Sequence, residues 1–325
     1  MRILVTGGAG FIGSAVIRNL LNSSQQIKTN DCVQVIALDS LTRTGSWAAL
    51  AELDSHPWLR FVTADIRDAA ALQLACRNID AVVHCAAETS VDASFNRSPD
   101  FADTNVAGTE SVLSAALAAG AQTFLHFSTD EVYGERLEGS STEDHPFAPT
   151  NPYSLSKAAA EGIIVSAANQ NAQVRFVVVR PSNNYGPWQF PDNLIPKFVT
   201  LLAQGTQVPL YGDGEHRRCW MHVDDTADAV RLLLHNPSAQ GAYNLAGEEM
   251  SNRMVVDELL RQTGMDWSYV DHVTGRATHD RRYCNDESKI MRLGYVRRRV
   301  FVEEIGQVVE HYRRRAQSQE TLLMC

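Results

Sequence analysis

Short apolar runs, separated by polar or glycine-bearing stretches, set the rhythm of the chain. Arg2–Thr6, Val33–Leu38, Leu59–Ala64, Ala81–Cys85, Thr123–Phe127 and Val174–Val179 are dominated by Val, Ile, Leu, Ala and Phe. Runs this short and this unbroken predict strands buried on both faces, as in a parallel sheet. Helical patterns fall between them: one running on from residues 6–13 to about Leu21, an amphipathic one over Phe101–Ala119, and one from Pro152 to about Gln170. Asn151 suits an N-cap and Pro152 the first helical position. Asn22–Asp31 is polar and reads as a loop. The alternation predicts an α/β fold, a Rossmann-type doubly wound parallel sheet.

Prolines and glycines crowd the stretch from Arg180 to Pro196, where the chain is expected to leave the sheet for a smaller mixed α/β lobe. Val208–Tyr211 reads as a strand and Thr226–His235 as a helix, and Ala242–Leu245 as a short strand returning to the main sheet. Asn252–Gln262, Glu287–Leu293 and Glu303–Arg314 read as helices of the smaller lobe, and Gln319–Cys325 as a loose tail. The expected division is residues 1–180 for a cofactor domain, with returning segments near 217–246, and 181–325 mainly for the substrate lobe.

At 325 residues, 44% hydrophobic, the chain is large enough for both parts. Its net charge of −9 argues against nucleic acid or an anionic membrane as main partner, but leaves an anionic nucleotide open. No apolar run reaches the ~18 residues of a membrane span. An opening directly on a strand predicts no signal peptide and a cytoplasmic protein. The six cysteines form no C-x-x-C pair and no metal-like cluster, so reduced thiols and no metal site are expected.

The first strand runs into T-G-G-A-G-F-I-G, Thr6 to Gly13. Gly7, Gly10 and Gly13, with Phe11 and Ile12 between them, carry the dinucleotide spacing: a tight turn, close backbone approach to a pyrophosphate, and helix packed on strand. The helix N-terminus then faces the phosphates. Asp39 ends the second strand, where a carboxylate accepts ribose hydroxyls and repels a 2′-phosphate; this favours NAD over NADP. The spacing to Asp39 exceeds the ~20 residues of the fingerprint, and the polar loop accounts for the excess. Arg43 is the one feature pointing the other way, and a solvated loop residue is its simpler reading. Asp65-Ile66 stands where an adenine edge could be held, although Asp65 equally suits a helix cap. Ala86 and Ala87 are small enough for a cofactor to lie against the backbone. Asn105 faces the core of its helix and needs partners there, whether at the cofactor or in a purely structural tie.

Tyr153 and Lys157 lie four apart on one helix face, and Ser128 lies near a strand's C-terminal end, where ligands bind in such sheets. An ammonium beside a phenol is expected to lower the phenol's pKa, so that Tyr153 could accept a sugar hydroxyl proton while hydride leaves the same carbon. Asp130 and Glu131 add more acid–base capacity than a simple alcohol oxidation requires. A Tyr/Lys pair alone is a weak signal; the glycine fingerprint upstream is what strengthens it.

Together these residues resemble the extended short-chain dehydrogenase/reductases. Within them, S-T-D-E-V-Y-G (Ser128–Gly134), A-A-E (Ala86–Glu88), N-N-Y-G-P (Asn183–Pro187), L-I-P (Leu194–Pro196), L-Y-G-D-G (Leu210–Gly214) and H-D-R-R-Y (His279–Tyr283) are similar to the nucleotide-sugar 4,6-dehydratases acting on dTDP-glucose. The resemblance covers nearly the whole chain, and its most specific mark is the Asp-Glu pair, which epimerases and decarboxylases of the superfamily usually lack. It implies hydride transfer from carbon 4 of a glucosyl unit to NAD, with Tyr153 taking the hydroxyl proton and Thr129 bonding the sugar near carbon 4. Glu131 then removes the carbon 5 proton, Asp130 protonates the leaving hydroxyl of carbon 6, and hydride returns to carbon 6. Lys157 would also bind the nicotinamide ribose. The resemblance places Glu88, Ser90, Asn184, Asn193, Leu194, Arg218, His279, Arg282 and Tyr283 at the sugar nucleotide, with Arg218 and Arg282 on its diphosphate; Arg217 and Arg281 read as solvated neighbours. It also implies a homodimer through the helices around Phe101–Ala119 and Tyr153–Gln170.

The spelling departs from that family where the sugar nucleotide would be held. Ser90 and Ala93 stand in place of a usual His and Arg, Asp192-Asn193 in place of Glu-Lys, and Cys219 in place of an Asp. Two other readings stay open: a nucleotide-sugar 4-epimerase or decarboxylase, which needs the Tyr/Lys pair alone, and a non-catalytic NAD-binding regulator, which would show decay at these positions.

Overall fold

The structure of the protein, a computed structural model, describes residues 1–26, 33–42, 46–274 and 280–323. Arg43, His279, Cys32, Cys325 and the end of the expected Asn22–Asp31 loop lie outside the described residues. Twelve strands are present among those described: β1 Arg2–Thr6, β2 Gln34–Asp39, β3 Leu59–Thr63, β4 Ala81–His84, β5 Thr123–Phe127, β6 Arg175–Pro181, β7 Asn183–Tyr185, β8 Val208–Tyr211, β9 Arg217–His222, β10 Gly241–Leu245, β11 Glu248–Ser251 and β12 Val270–Val273. Seven of them form one sheet in the order β10-β6-β5-β4-β1-β2-β3, and every pairing in it is parallel. The chain order reverses between β1 and β4, which makes the crevice above that pair the natural ligand site. β10 is the returning strand, paired with β6.

The unbroken apolar strands are covered on both faces. Helices Phe11–Gln26 and Val223–His235 pack together over one face, around Ile17, Leu21, Val230 and Leu233. Helices Ala69–Ala75, Gly108–Ala118 and Pro152–Gln170 cover the other, around Leu72, Val112 and Ile164. A separate core around Tyr185, Phe198, Leu259 and Phe301 joins the helices Leu194–Ala203, Asn252–Thr263 and Phe301–Leu323 to a β11-β9-β7 sheet and a β12-β8 pair.

Several expectations are corrected. The first helix runs to Gln26 and the last to Leu323; residues 22–26 and 315–323, which prolong them, contain no Gly or Pro to stop a helix, and the supposed tail is rich in good helix formers. Glu287–Leu293 shrinks to one turn, Ser288–Met291, and its Ile290 belongs to the main core rather than the smaller one. Phe101–Ala119 is interrupted by a π-helical stretch, Ala102–Ala107, where Gly108 N donates to Asp103 O. Such wide turns recur at functional sites. A side chain on Gly108 would strike Ile66 Cδ1 at 2.5 Å, so the helix lies hard against the loop after β3.

Candidate active site

One cleft of about 670 Å³ lies over the C-terminal ends of the central strands, within the ~300–1,000 Å³ of small-molecule sites. Its floor at one end is the β1 turn. Gly7 has φ +65°, and a Cβ there would meet Ala86 N at 2.7 Å; a Cβ on Gly13 would sit 2.1 Å from Gly7 O. Only glycine at both positions lets the turn, the β4 loop and the helix converge. Gly7, Gly10, Phe11, Ile12, Gly13, Asp39, Asp65, Ile66, Ala86 and Ala87 all line this end. Asp39 accepts from Ala9 N at 3.1 Å and Leu41 N at 2.9 Å, which aims its carboxylate along the rim. Asp65 is chelated by Arg67 at 2.9 and 2.6 Å, and these bonds hold its carboxyl below the usual range. The helix cap at this point is Asp68, not Asp65.

At the other end Ser128, Thr129, Asp130, Glu131, Tyr153 and Lys157 share the same wall. Thr129 caps the turn Asp130–Tyr133, its hydroxyl accepting from Glu131 N. Asp130 is buried; one oxygen takes a 3.4 Å contact from Thr129 Oγ1, and the other has no partner among the described residues. Burial, and then the charge of Glu131, push its carboxyl up to about 7, against the opposing pull of Arg218 and Thr129. Glu131 Oε2 accepts from Asn151 Nδ2, the side chain that also caps the Pro152 helix.

The expected effect of Lys157 on Tyr153 is not what the geometry gives. Lys157 Nζ donates to Phe127 O at 2.5 Å, and burial lowers its pKa to about 8. The phenol of Tyr153 is raised, by burial first and then by Glu131 and Asp130, with only Thr129 pulling it down. In the free protein, therefore, Tyr153 is held neutral.

Other expected site residues have different employment. Asn105 does not line the cleft: Oδ1 accepts from Glu88 N at 2.8 Å, and Nδ2 donates to Glu88 O at 2.9 Å and Ser156 Oγ at 2.8 Å. It ties the β4 loop to the Tyr153 helix, placing Glu88 on the cleft wall. Ser90 caps the helix Val91–Asn96 by accepting from Ala93 N. Leu194 packs against the smaller core. Asn184 and Asn193 do line the cleft, with Asn184 fixed by Ser182 O and Thr226 Oγ1. Arg282 is not free for a diphosphate: it grips Glu249 through two 2.8 Å bonds and donates to the carbonyls of Arg136 and Gly139. Arg217 shares Glu249, whose carboxyl is held near 2 mainly by Arg282; Arg281 pairs with Asp213. Arg218 is buried, 4.3 Å over the Tyr283 ring, and donates to the carbonyls of Arg217 and Asp280. Tyr283 OH donates to Asp280. Neither Arg218 nor Tyr283 reaches the cleft wall in this arrangement.

Two features escaped the sequence reading. Arg180, buried, pairs with Glu161 one turn after Lys157 and donates to Tyr133 OH at 2.5 Å; Tyr133 OH in turn donates to Asn244 at 2.8 Å. This network locks the carboxyl-bearing turn to β6, β10 and the Tyr153 helix. The C-terminal helix also supplies Tyr312, Arg315 and Ala316 to the cleft. Arg315 lies 4.6 Å over Trp188, and Tyr312 OH donates to Gly186 O at 2.9 Å. The Y-R-R-R stretch, at helical spacing, was the only available signal.

The cleft fits a dinucleotide: a helix N-terminus faces it, the glycine turn leaves room for phosphates, and the buried Ser128 Oγ, without a partner among the described residues, lies in its wall. The all-parallel sheet, that cleft and the Tyr/Lys helix define a dinucleotide-dependent enzyme of the short-chain class. The chain belongs to the NAD dependent epimerase/dehydratase family, which it matches over residues 3–246. It is 43% identical over 316 residues to a dTDP-glucose 4,6-dehydratase of Actinoplanes sp., covering 96% of this chain and 98% of that one. It is 40% identical over 313 residues to the low-salt glycan biosynthesis protein Agl12 of Haloferax volcanii, covering 96% and 98%. Among solved structures it is similar to the dTDP-glucose 4,6-dehydratase DesIV of Streptomyces venezuelae with NAD bound, at TM-score 0.91, 44% identity and 97% coverage of both chains.

Proposed function

We propose that the protein dehydrates a nucleotide-diphosphate hexose to its 4-keto-6-deoxy product, using NAD, with dTDP-glucose as the first substrate to test and UDP-glucose as the second. One observation carries the reading: a carboxyl raised to about 7, Asp130, adjoins a second carboxyl, Glu131, in the wall that bears Tyr153 and Lys157. Two acids whose environments differ suit one proton donor and one proton acceptor. A 4-epimerase has no use for that pair, and none of these groups has decayed as a regulator's would.

When bound, NAD supplies the hydride acceptor, the later hydride donor and a positive ring charge against which the Tyr153 phenol can ionise. Tyr153 receives the proton of the carbon 4 hydroxyl while Thr129 orients that hydroxyl. Glu131, steadied by Asn151, removes the proton on carbon 5. Asp130, still protonated near neutrality, delivers its proton to the departing oxygen of carbon 6. Lys157, fixed to Phe127 O, would hold the cofactor's ribose and contribute charge nearby.

The seven-stranded part serves the cofactor in this reading, and residues 181–325 mainly serve the sugar nucleotide. For Arg218 to meet the diphosphate it must leave the carbonyls of Arg217 and Asp280. The working form in this reading is a homodimer in the cytoplasm, and Leu155 and Val165, 60% and 54% exposed on the Tyr153 helix, support the pairing. The decisive experiment incubates the purified protein with dTDP-glucose, UDP-glucose and their galactose epimers and assays for a 4-keto-6-deoxy product. Interconversion of the epimers without that product would replace this reading with an epimerase.

A further inference from the structure

Cys219, on β9, and Cys284, just after Tyr283, bring their Sγ atoms to 3.8 Å although 65 residues separate them. The backbone sets this approach. Arg217 bridges Arg282 in parallel register, Arg217 N donating to Arg281 O at 2.8 Å and Tyr283 N to Arg217 O at 3.3 Å. Two residues further along each strand the side chains return to the same face, which sets Cys219 against Cys284. At the Arg217–Arg282 bridge the two backbones take the ~4.8 Å spacing of paired strands, close to the ~4.4–6.8 Å Cα separation that a disulfide spans. The sulfurs, 3.8 Å apart, have less than ~2 Å to close to the ~2.05 Å of a disulfide.

The two thiols differ in reach and acidity. Cys219 is buried, whereas Cys284 is partly exposed. The thiol of Cys219 donates to the sulfur of Cys284, and this bond, with the charge of Arg282, draws the Cys284 thiol below its ordinary range against burial and, less strongly, Glu249. The same bond, followed by burial and the neighbouring Asp130, pushes Cys219 upward. One thiol is thus fitted to attack and the other to resolve.

We propose that Cys219 and Cys284 are a redox-active dithiol that closes to a disulfide with a low-molecular-weight disulfide such as oxidised glutathione as oxidant, and so controls the release of Arg218 in the sugar-nucleotide lobe. The Cys284 thiolate attacks one sulfur of the oxidant, forming a mixed disulfide and releasing one thiolate. Cys219 then gives up its proton and attacks the Cys284 sulfur, and the second small thiol leaves. Two protein thiols are oxidised and one small disulfide is reduced to two thiols. Arg218 is the next residue to Cys219, and its guanidinium is held by the carbonyls of Arg217 and Asp280 over the Tyr283 ring. A covalent tie between β9 and the 280–284 segment holds those carbonyls in place. This second step rests on the proposed function: Arg218 released toward a diphosphate is what oxidation would restrain.

The test equilibrates the full-length protein in glutathione buffers from fully reduced to fully oxidised, quenches with iodoacetamide and maps the peptides. Binding of dTDP is measured by calorimetry on the same samples. The expected result is a Cys219–Cys284 cross-linked peptide that grows with oxidation and is lost on reduction, with dTDP affinity falling several-fold in step. Cys284→Ser should bind dTDP with the same affinity across the whole series. Both cysteines alkylated at the oxidised end, or glutathione remaining on Cys284 without a cross-link, would overturn the dithiol. Unchanged dTDP affinity in fully cross-linked protein would overturn its control of the site. The cross-link is read from the peptide map whether or not dTDP binds, so failure of the substrate reading is a separate result.

Discussion

Asp130 and Glu131 are neighbours on one turn, yet they are held differently: Glu131 Oε2 accepts from Asn151 Nδ2, while Asp130 Oδ2 has no partner among the described residues. The arrangement sorts two similar side chains into two states. Asp130 is kept protonated by burial and by the charge beside it, with its carboxyl near 7. Burial first, and then the same Glu131 charge, keep Tyr153 neutral in the free protein. One carboxylate therefore reinforces burial at both of the groups proposed to exchange protons with substrate.

The titration of Asp130 should move in opposite directions when its neighbours are removed. Glu131 raises it and Arg218 lowers it. Glu131→Gln should bring the midpoint down, and Arg218→Ala should take it up. Carboxyl carbon NMR of protein labelled at aspartate is the readout. Stability follows the same sign. A folded-state pKa of about 7, against an ordinary 3.8, means that Asp130's contribution is present below the unfolded pKa and is lost as pH rises through 7. Asp130→Asn should flatten that part of the stability–pH curve; a curve identical to wild type between pH 4 and 7 would remove Asp130 as its source.

Glu131→Gln should also separate oxidation from elimination. Tyr153 and Lys157 both remain, and losing the Glu131 charge eases ionisation of the phenol, so hydride should still leave carbon 4, while proton loss from carbon 5 slows by ~10²–10⁴-fold. The measurement pairs reduced-cofactor absorbance with exchange of the carbon 5 proton in deuterated water. Exchange at the normal rate would show that another group is the base.

How far the sequence could be read depends on how local the determinant is. The main-sheet strands were legible because burial on both faces leaves an unbroken apolar run, and the glycine turn because only glycine tolerates those approaches. The β11-β9-β7 sheet was not, since its short strands mix polar and apolar residues and pair across long separations. Asn105 and Ser90 show the same limit at single residues. Each is a polar side chain at a plausible site position, and only the three-dimensional neighbours reveal a tie in one case and a cap in the other. Arg282 matched a motif, but Glu249, which engages it, lies 33 residues away.

The purified protein should carry NAD rather than NADP. Asp39 presents its carboxylate at the cleft rim, oriented by two backbone N–H groups, and a carboxylate there disfavours a 2′-phosphate. Denaturing the protein and identifying the released dinucleotide is the check. Asp39→Asn, which keeps one acceptor but loses the charge, should narrow the preference; NADP alone in the wild-type extract would contradict the reading.

Leu155→Arg combined with Val165→Arg should yield monomers if the Tyr153 helix forms the dimer face. Both side chains are more than half exposed, so neither change opens a cavity in the described core. Sedimentation velocity would show a halved mass with an unchanged circular-dichroism spectrum. An assembly state unaffected by both charges places the interface elsewhere.

The departures at Ser90, Ala93 and Asn193 should not be equivalent. All three were expected to alter sugar-nucleotide handling, but Ser90 spends its hydroxyl on Ala93 N as a helix cap, and neither residue lines the cleft. Ser90→His with Ala93→Arg should therefore cost ~0.5–2 kcal/mol of stability through the lost cap and leave the ranking of dTDP-glucose against UDP-glucose unchanged. Asn193 does line the cleft, and its Nδ2 donates only to Phe190 O, at 3.1 Å. Asn193→Lys adds a cation there, and a charged hydrogen bond to an anionic substrate is worth ~1.5–3 kcal/mol, so KM should fall while kcat holds. Melting temperature and kcat/KM over both sugar nucleotides separate the two cases. A changed ranking in the Ser90/Ala93 double variant would mean that this helix reaches the substrate after all.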